Sequence, residues 1–196
     1  MELQTIIFLG KSGSGKGTQI AKLIEYIGTK DTKPILNLGA GARFRDFISQ
    51  DFYASKLSRE INEKGGLQPS FLAIWAWGGE LIRKLKADEH LLLDGAPRRI
   101  QEVDIMESAF DFYKRQNIKV VYVDVSNEWA TEKLQGRGRE DDKELEDIQE
   151  RLDWFNTEVI PVIESFKNNP KYTFLKINGE QDIDIVHQEI ISKLEI

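Results

Sequence analysis

Apolar positions along this chain follow two rhythms. Five short runs are apolar almost without a break: Leu3–Leu9, Pro34–Leu38, His90–Leu93, Lys119–Val125 and Tyr172–Ile177. Between them apolar residues recur at helical spacing, as at Ile20, Leu23, Ile24 and Ile27, with polar residues filling the other positions. Short unbroken runs mark strands buried on both faces, and the helical rhythm marks amphipathic helices. Strands alternating with helices predict an α/β fold whose parallel sheet is covered on both sides.

Two of the helical stretches adjoin each other without a strand between them. Ala40–Gln50 and Asp51–Lys64 precede Gly65-Gly66 and read as a small lobe inserted after the second strand. Leu67-Gln68-Pro69-Ser70 then opens another helix, with Pro69 near its first turn, where a missing N–H costs nothing. Trp75 and Trp77 on that helix suit either a stacking platform for a base or a core position. From about 143 to 167 runs a long amphipathic helix. Leu145, Ile148, Leu152, Phe155, Val159, Val162 and Phe166 lie on one side, and Pro161 is expected to bend it. No repeat, low-complexity segment or linker interrupts residues 1–196, which read as a single domain.

In a parallel sheet ligands bind beyond the carboxyl ends of the strands, so the residues after each run carry the chemistry. The first run is followed by Gly10-Lys11-Ser12-Gly13-Ser14-Gly15-Lys16-Gly17-Thr18-Gln19. Between a strand and a helix this is a phosphate cradle. The glycines let the backbone approach a ligand, successive N–H groups form an anion nest, and the helix N-terminus adds its dipole. Lys16 supplies a mobile charge for β- and γ-phosphates, and Gly10 to Lys16 fits the G-x-x-x-x-G-K spacing. Gly17 stands where a hydroxyl residue usually follows the lysine, and Thr18 comes one place later.

Composition narrows the classes. The chain has 196 residues, 40% hydrophobic and 31% charged, which is the make-up of a globular domain. A net charge of −6 disfavours general binding of nucleic acid or anionic membrane. Cysteine is absent, which removes disulfides and thiolate zinc sites. His90 and His187 are far apart and read as structural or solvated. No run approaches a membrane span and no leader pattern is present, so a cytoplasmic location is expected. Against this acidic background the arginines matter. Arg45, Arg98, Arg137, Arg139 and Arg151 come from four separate segments and are all expected near the ligand edge of the sheet. Their planar forks match phosphate oxygens, so their convergence would mean a densely negative ligand.

With these residues in view, the chain resembles the nucleoside monophosphate kinases, and adenylate kinase most closely. The resemblance covers nearly the whole chain. It rests on Gly13-Ser14-Gly15-Lys16-Gly17-Thr18-Gln19, Asp94-Gly95-x-Pro97-Arg98, Gly138-Arg139-x-Asp141-Asp142, and Arg151-Leu152 followed by Pro161-Val162-Ile163. It implies a P-loop NTPase-type parallel five-stranded sheet with helices on both faces. A small helical NMP-binding insert would occupy about 39–68, and a short lid about 136–142. The implied reaction is reversible transfer of the γ-phosphoryl group of ATP to AMP, giving two ADP, with Mg2+ as cofactor and no zinc. Another monophosphate kinase, with a GMP or pyrimidine acceptor, is the nearest alternative. A nucleotide-binding regulator without turnover is the alternative from another class. A monomer is expected, with no nucleic-acid or membrane partner.

The implied roles follow the motifs. Lys16, Arg98, Arg137, Arg139 and Arg151 would be catalytic. ATP would be bound by Gly13, Ser14, Gly15, Lys16, Gly17, Thr18, Lys133, Arg137 and Gln181. AMP would be bound by Ala40, Arg45, Leu67, Gln68, Gly95, Arg98, Glu102, Arg139 and Arg151. Asp94 would hold magnesium through water or else form a turn, and Asp141 and Asp142 would hinge the lid or cap the following helix. Several positions depart from the family pattern. Ala40-Gly41-Ala42-Arg43-Phe44-Arg45 replaces Thr-Gly-Asp-x-Leu-Arg, Lys133 replaces a base-stacking arginine, and Glu102 replaces the glutamine that reads adenine, with Gln101 one place earlier. A carboxylate only accepts hydrogen bonds, so Glu102 facing a base would favour guanine. The lid is too short for a zinc-holding subdomain, which would leave the donor site less enclosed.

Overall fold

A computed structural model describes residues 1–136 and 145–196, apart from the side chains of Ala40 and Ala42. Five strands form one sheet in the order β2-β3-β1-β4-β5. They are β1 (Thr5–Leu9), β2 (Ile35–Gly39), β3 (His90–Asp94), β4 (Ile118–Asp124) and β5 (Tyr172–Asn178). All four pairings are parallel. The apolar runs of the sequence coincide with these strands to within a residue or two.

Alternation along β1 shows why the runs are unbroken. Ile7 and Leu9 enter one core, while Ile6 and Phe8 enter the other. The second core is closed by α1 (Lys16–Lys30) and α9 (Ile183–Leu194), through Ile20, Leu23 and Ile27 and through Val186, Ile190 and Leu194. The first is closed by α4 (Ser70–Lys84), α5 (Ile100–Phe112) and α8 (Ile160–Lys167), through Trp77, Leu81, Met106, Phe110, Val162 and Phe166. Each central strand thus buries both faces, so no position on it needs to be polar.

Two helices, α2 (Ala40–Ile48) and α3 (Tyr53–Glu63), follow β2 and share a small core with α4 built on Phe44, Phe47, Leu72 and Ala76. Trp77 is buried in the main core. Trp75 is 39% exposed and stacks between Phe47 and the Arg43 guanidinium. Neither tryptophan lines the main cleft. The stretch expected to form one bent helix is interrupted. α7 (Leu145–Trp154) gives way to a π-helical turn at Phe155–Val159, and α8 restarts with Pro161 in its first turn. The break precedes the proline because Pro161 has no N–H to donate backwards and its ring crowds the carbonyl four residues earlier. α6 (Asn127–Gln135) completes the chain between β4 and α7.

Candidate functional site

A cleft of about 1320 Å³ lies across the carboxyl ends of the strands. That exceeds the ~300–1000 Å³ usual for one small ligand. One wall is the turn between β1 and α1. Gly10, Gly13 and Gly15 have φ of 145°, 84° and 85°. A Cβ on Gly10 would sit 2.4 Å from the Val123 carbonyl, and one on Gly13 would sit 2.5 Å from that of Ala130. The loop is therefore pressed against β4 and α6, and only glycine fits.

Gly15 also begins α1, and no side chain caps that end. By contrast, α6 is capped by Ser126, whose Oγ accepts from the Trp129 N–H at 3.1 Å. The first N–H groups of α1 are thus available to an anion, together with the positive end of the helix dipole. The Lys16 Nζ donates to the carbonyls of Gly10 and Lys11, each at 2.7 Å, and lies 3.3 Å from the Ser14 Oγ. Gly13, Ser14, Gly15, Lys16, Gly17 and Thr18 all line the cleft.

The same side carries Lys133 and Gln181. The Lys133 ammonium rests 4.6 Å from the centre of the Trp129 ring. Gln181 Nε2 donates to the Asn178 carbonyl at 3.0 Å and to Glu189 at 3.3 Å. Trp129 and the segment 179–183 line the cleft as well. Sequence reasoning missed Trp129 and, apart from Gln181, the rest of that segment. A tryptophan one helical turn before Lys133 was the available signal.

Three arginines join the lining of the same cleft. Arg45 extends from α2 and Arg98 follows β3, while Arg151 projects from α7, and all three line the cleft. Arg98 Nε donates to the Gly95 carbonyl at 2.8 Å, and Gly95 has a φ of 66°. Desolvation pulls the Arg98 pKa below its ordinary value. Asp94 and Glu102 oppose that shift, and the neighbouring charge of Arg151 adds to it. A guanidinium stays charged under such pressure. Two cations held close together, one of them 8% exposed, form a site that gains from an anion. Asp94 lies at the end of β3 on the cleft floor.

Two residues expected to touch the acceptor, Glu102 and Leu67, stand elsewhere. Glu102 is 1% exposed and does not line the cleft. Its Oε2 accepts from Trp77 Nε1 at 3.2 Å, and its Oε1 accepts from the Arg99 N–H at 3.2 Å, closing a capping box on α5. Burial raises its pKa, opposed first by the Trp77 N–H. Both oxygens are engaged, so the carboxyl organises the start of a helix and does not reach a base. Leu67 is half-buried outside the cleft lining. Ala40 starts α2, and its side chain lies outside the described residues. Gln68 lines the cleft, but its amide is tied to Ser58. Its Oε1 accepts from the Ser58 hydroxyl and its Nε2 donates to the Ser58 carbonyl, each at 2.8 Å.

Arg99 and Trp154 were not singled out from the sequence. Arg99 Nη1 donates to the Gln68 carbonyl, and its Nε lies 3.4 Å from Glu158. Trp154 Nε1 donates to the Gly65 carbonyl at 3.0 Å. Arg137, Arg139, Asp141 and Asp142, and all but the first residue of the expected lid at about 136–142, lie outside the described residues. Among the described residues no group of three or more His, Asp or Glu side chains is gathered for a metal, and no helix is long and apolar enough to cross a membrane.

Comparison with known proteins gives a consistent result. A family model described as Adenylate kinase matches residues 8–171. The chain is 31% identical over 191 residues to the adenylate kinase of Prochlorococcus marinus (strain MIT 9515), covering 96% of this chain and 97% of that protein. It is 29% identical over 194 residues to the human adenylate kinase isoenzyme 1, covering 97% and 93%. It is also 29% identical over 193 residues to the adenylate kinase of Corynebacterium urealyticum (strain ATCC 43042 / DSM 7109), covering 97% and 98%.

Proposed function

The chain belongs to the adenylate kinase family, and we propose that its cleft moves the γ-phosphoryl group of ATP to AMP, reversibly, giving two ADP. The observation that carries the assignment of roles is that one cleft is lined both by the glycine loop with Lys16 and by Arg45, Arg98 and Arg151. In-line phosphoryl transfer asks for position and charge neutralisation and needs no covalent group from the protein.

Lys16 follows the transferring group from the donor side. Its two contacts to loop carbonyls are what a phosphate oxygen would replace. Arg98 and Arg45 hold the α-phosphate of the acceptor. Arg151 spans the transferred group, with Arg137 and Arg139 assigned to the same task by their place in the motif. Trp129 and Lys133 border the donor base, and Gln181 belongs to the same border. The acceptor base is read by backbone near 67–69 and Gly95, because the amide of Gln68 and the carboxyl of Glu102 are already engaged.

Magnesium would enter with the ATP phosphates. It keeps much of its water shell and needs only one or two carboxylates, so Asp94 on the cleft floor, with Thr18 on the loop, suits it. When bound, the ion neutralises phosphate charge. The insert at about 39–68 and the lid at about 136–142 are taken to close over the two nucleotides. One chain supplies the whole lining, which favours a monomer as the working form; a cytoplasmic location is part of the same proposal.

A coupled assay of ADP formation from ATP across AMP, GMP, CMP and UMP tests the reading. AMP should give the highest kcat/KM. Turnover with GMP alone would move the assignment to another monophosphate kinase, and no turnover with any acceptor would leave a nucleotide-binding regulator.

A further inference from the structure

The end of the inserted lobe is fastened to α7 at two points. Gly65 has a φ of 67°, and a Cβ there would come within 2.5 Å of the Asp147 carbonyl. The lobe's last turn therefore lies directly on the α7 backbone. Its Gly65 carbonyl accepts the Trp154 indole N–H at 3.0 Å. Three residues on, the Gln68 carbonyl accepts from Arg99, which also pairs with Glu158 beyond α7.

Trp154 has a second contact. Its ring faces the Arg98 guanidinium, whose Cζ is 5.4 Å from the ring centre. The other side of that guanidinium is steadied by Nε donating to Gly95. Trp154 also stands one helical turn after Arg151, so the two share a face of α7 and both reach the cleft. One half-buried indole therefore touches the end of the insert and an arginine of the acceptor wall at once.

We propose that Trp154 is a positioning residue that couples seating of the acceptor phosphate on Arg98 to docking of the insert on α7. The proposal rests on the reading that Arg98 holds the acceptor's α-phosphate. The indole plane fixes the tilt of the guanidinium, and the indole N–H fixes the point from which the insert reaches over the acceptor. A shift of Arg98 toward a bound phosphate moves the ring, and the ring carries the Gly65 carbonyl with it.

Two substitutions in the full chain separate the contacts. Trp154→Phe keeps a ring over Arg98 and loses the N–H; Trp154→Leu loses both. Kinetics with AMP varied at saturating ATP, and the reverse, should show KM for AMP raised about three- to tenfold in Trp154→Phe, the worth of one hydrogen bond. Trp154→Leu should raise it further, by about another threefold from the lost cation–π contact. KM for ATP and kcat should stay within about twofold. A lowered melting temperature with an unchanged KM for AMP would make Trp154 a packing residue only and overturn the coupling. Parallel rises in both KM values would do the same. Arg98→Lys is the control. If it raises KM for AMP while both Trp154 variants leave it alone, only the coupling fails. If it leaves KM for AMP unchanged, the reading of Arg98 fails as well.

Discussion

The two walls of the cleft are made of different material. The glycine-loop side is largely backbone: glycines at positive φ, the uncapped end of α1, and one lysine folded along its own loop. The loop itself comes entirely from residues 10–19, with Trp129, Lys133 and 179–183 bordering it. The acceptor wall is side chains from distant segments. Arg98 leans on Trp154, Arg99 ties Gln68 to Glu158, and Glu102 ties Trp77 to the start of α5. A backbone cradle leaves one solution in sequence, since nothing but glycine fits it. A side-chain wall can be rebuilt in many ways, which is why the familiar Thr-Gly-Asp-x-Leu-Arg pattern is altered here while the glycine loop is nearly intact.

The comparison breaks most readily at Lys16. Lys16→Met should lower kcat about a hundred- to a thousandfold, the usual loss for one preorganised charge-stabilising group. The melting curve should move much less than the rate, by the worth of a few part-buried hydrogen bonds within the loop, about 1–3 kcal/mol. Near-normal turnover in steady-state assays would remove Lys16 from its role. The next largest effect belongs to the loop backbone. Gly13→Ala puts a methyl 2.5 Å from the Ala130 carbonyl at a φ of 84°. It should cost about 1–3 kcal/mol in urea unfolding and raise KM for ATP more than KM for AMP. Gly28→Ala on α1 meets nothing within 4 Å, and should stabilise by up to about 1 kcal/mol. The smallest functional effect is expected at Glu102, behind the cleft and outside its lining. Glu102→Gln leaves one acceptor for two donors, so stability should fall by about 1–3 kcal/mol. The AMP-to-GMP ratio of kcat/KM should change less than about twofold. A large change in that ratio would put Glu102 in the site after all.

The sheet was legible because burial on both faces leaves apolar runs with no polar interruption. Ile6 to Leu9 illustrate it, each 1% exposed or less. The glycine loop was legible because its function sits in the backbone, where glycine identity is the signal. The split of the long helix was not. Leu152, Phe155, Val159 and Val162 keep an apolar rhythm straight through the π turn, and periodicity alone is blind to one shifted hydrogen bond. Trp154 and Arg99 were not legible either, since each acts through a partner far along the chain. Glu102 was misdirected by its place in a motif. Its actual partner, Trp77, sits on another helix and looked like an ordinary core residue.

The strand order has a consequence for how the protein is made. β1 stands at the centre of the sheet, and its neighbours β3 and β4 are both encoded well downstream of it. Chain closures of that length are costly and slow. When the glycine loop leaves the ribosome it has nothing to press against, because Val123 and Ala130, whose carbonyls hem in Gly10 and Gly13, are encoded about 110 to 120 residues later. A nucleotide held by the finished loop therefore stabilises the joining of β1 to β4 and α6, a late contact along the chain, more than any structure local to the loop.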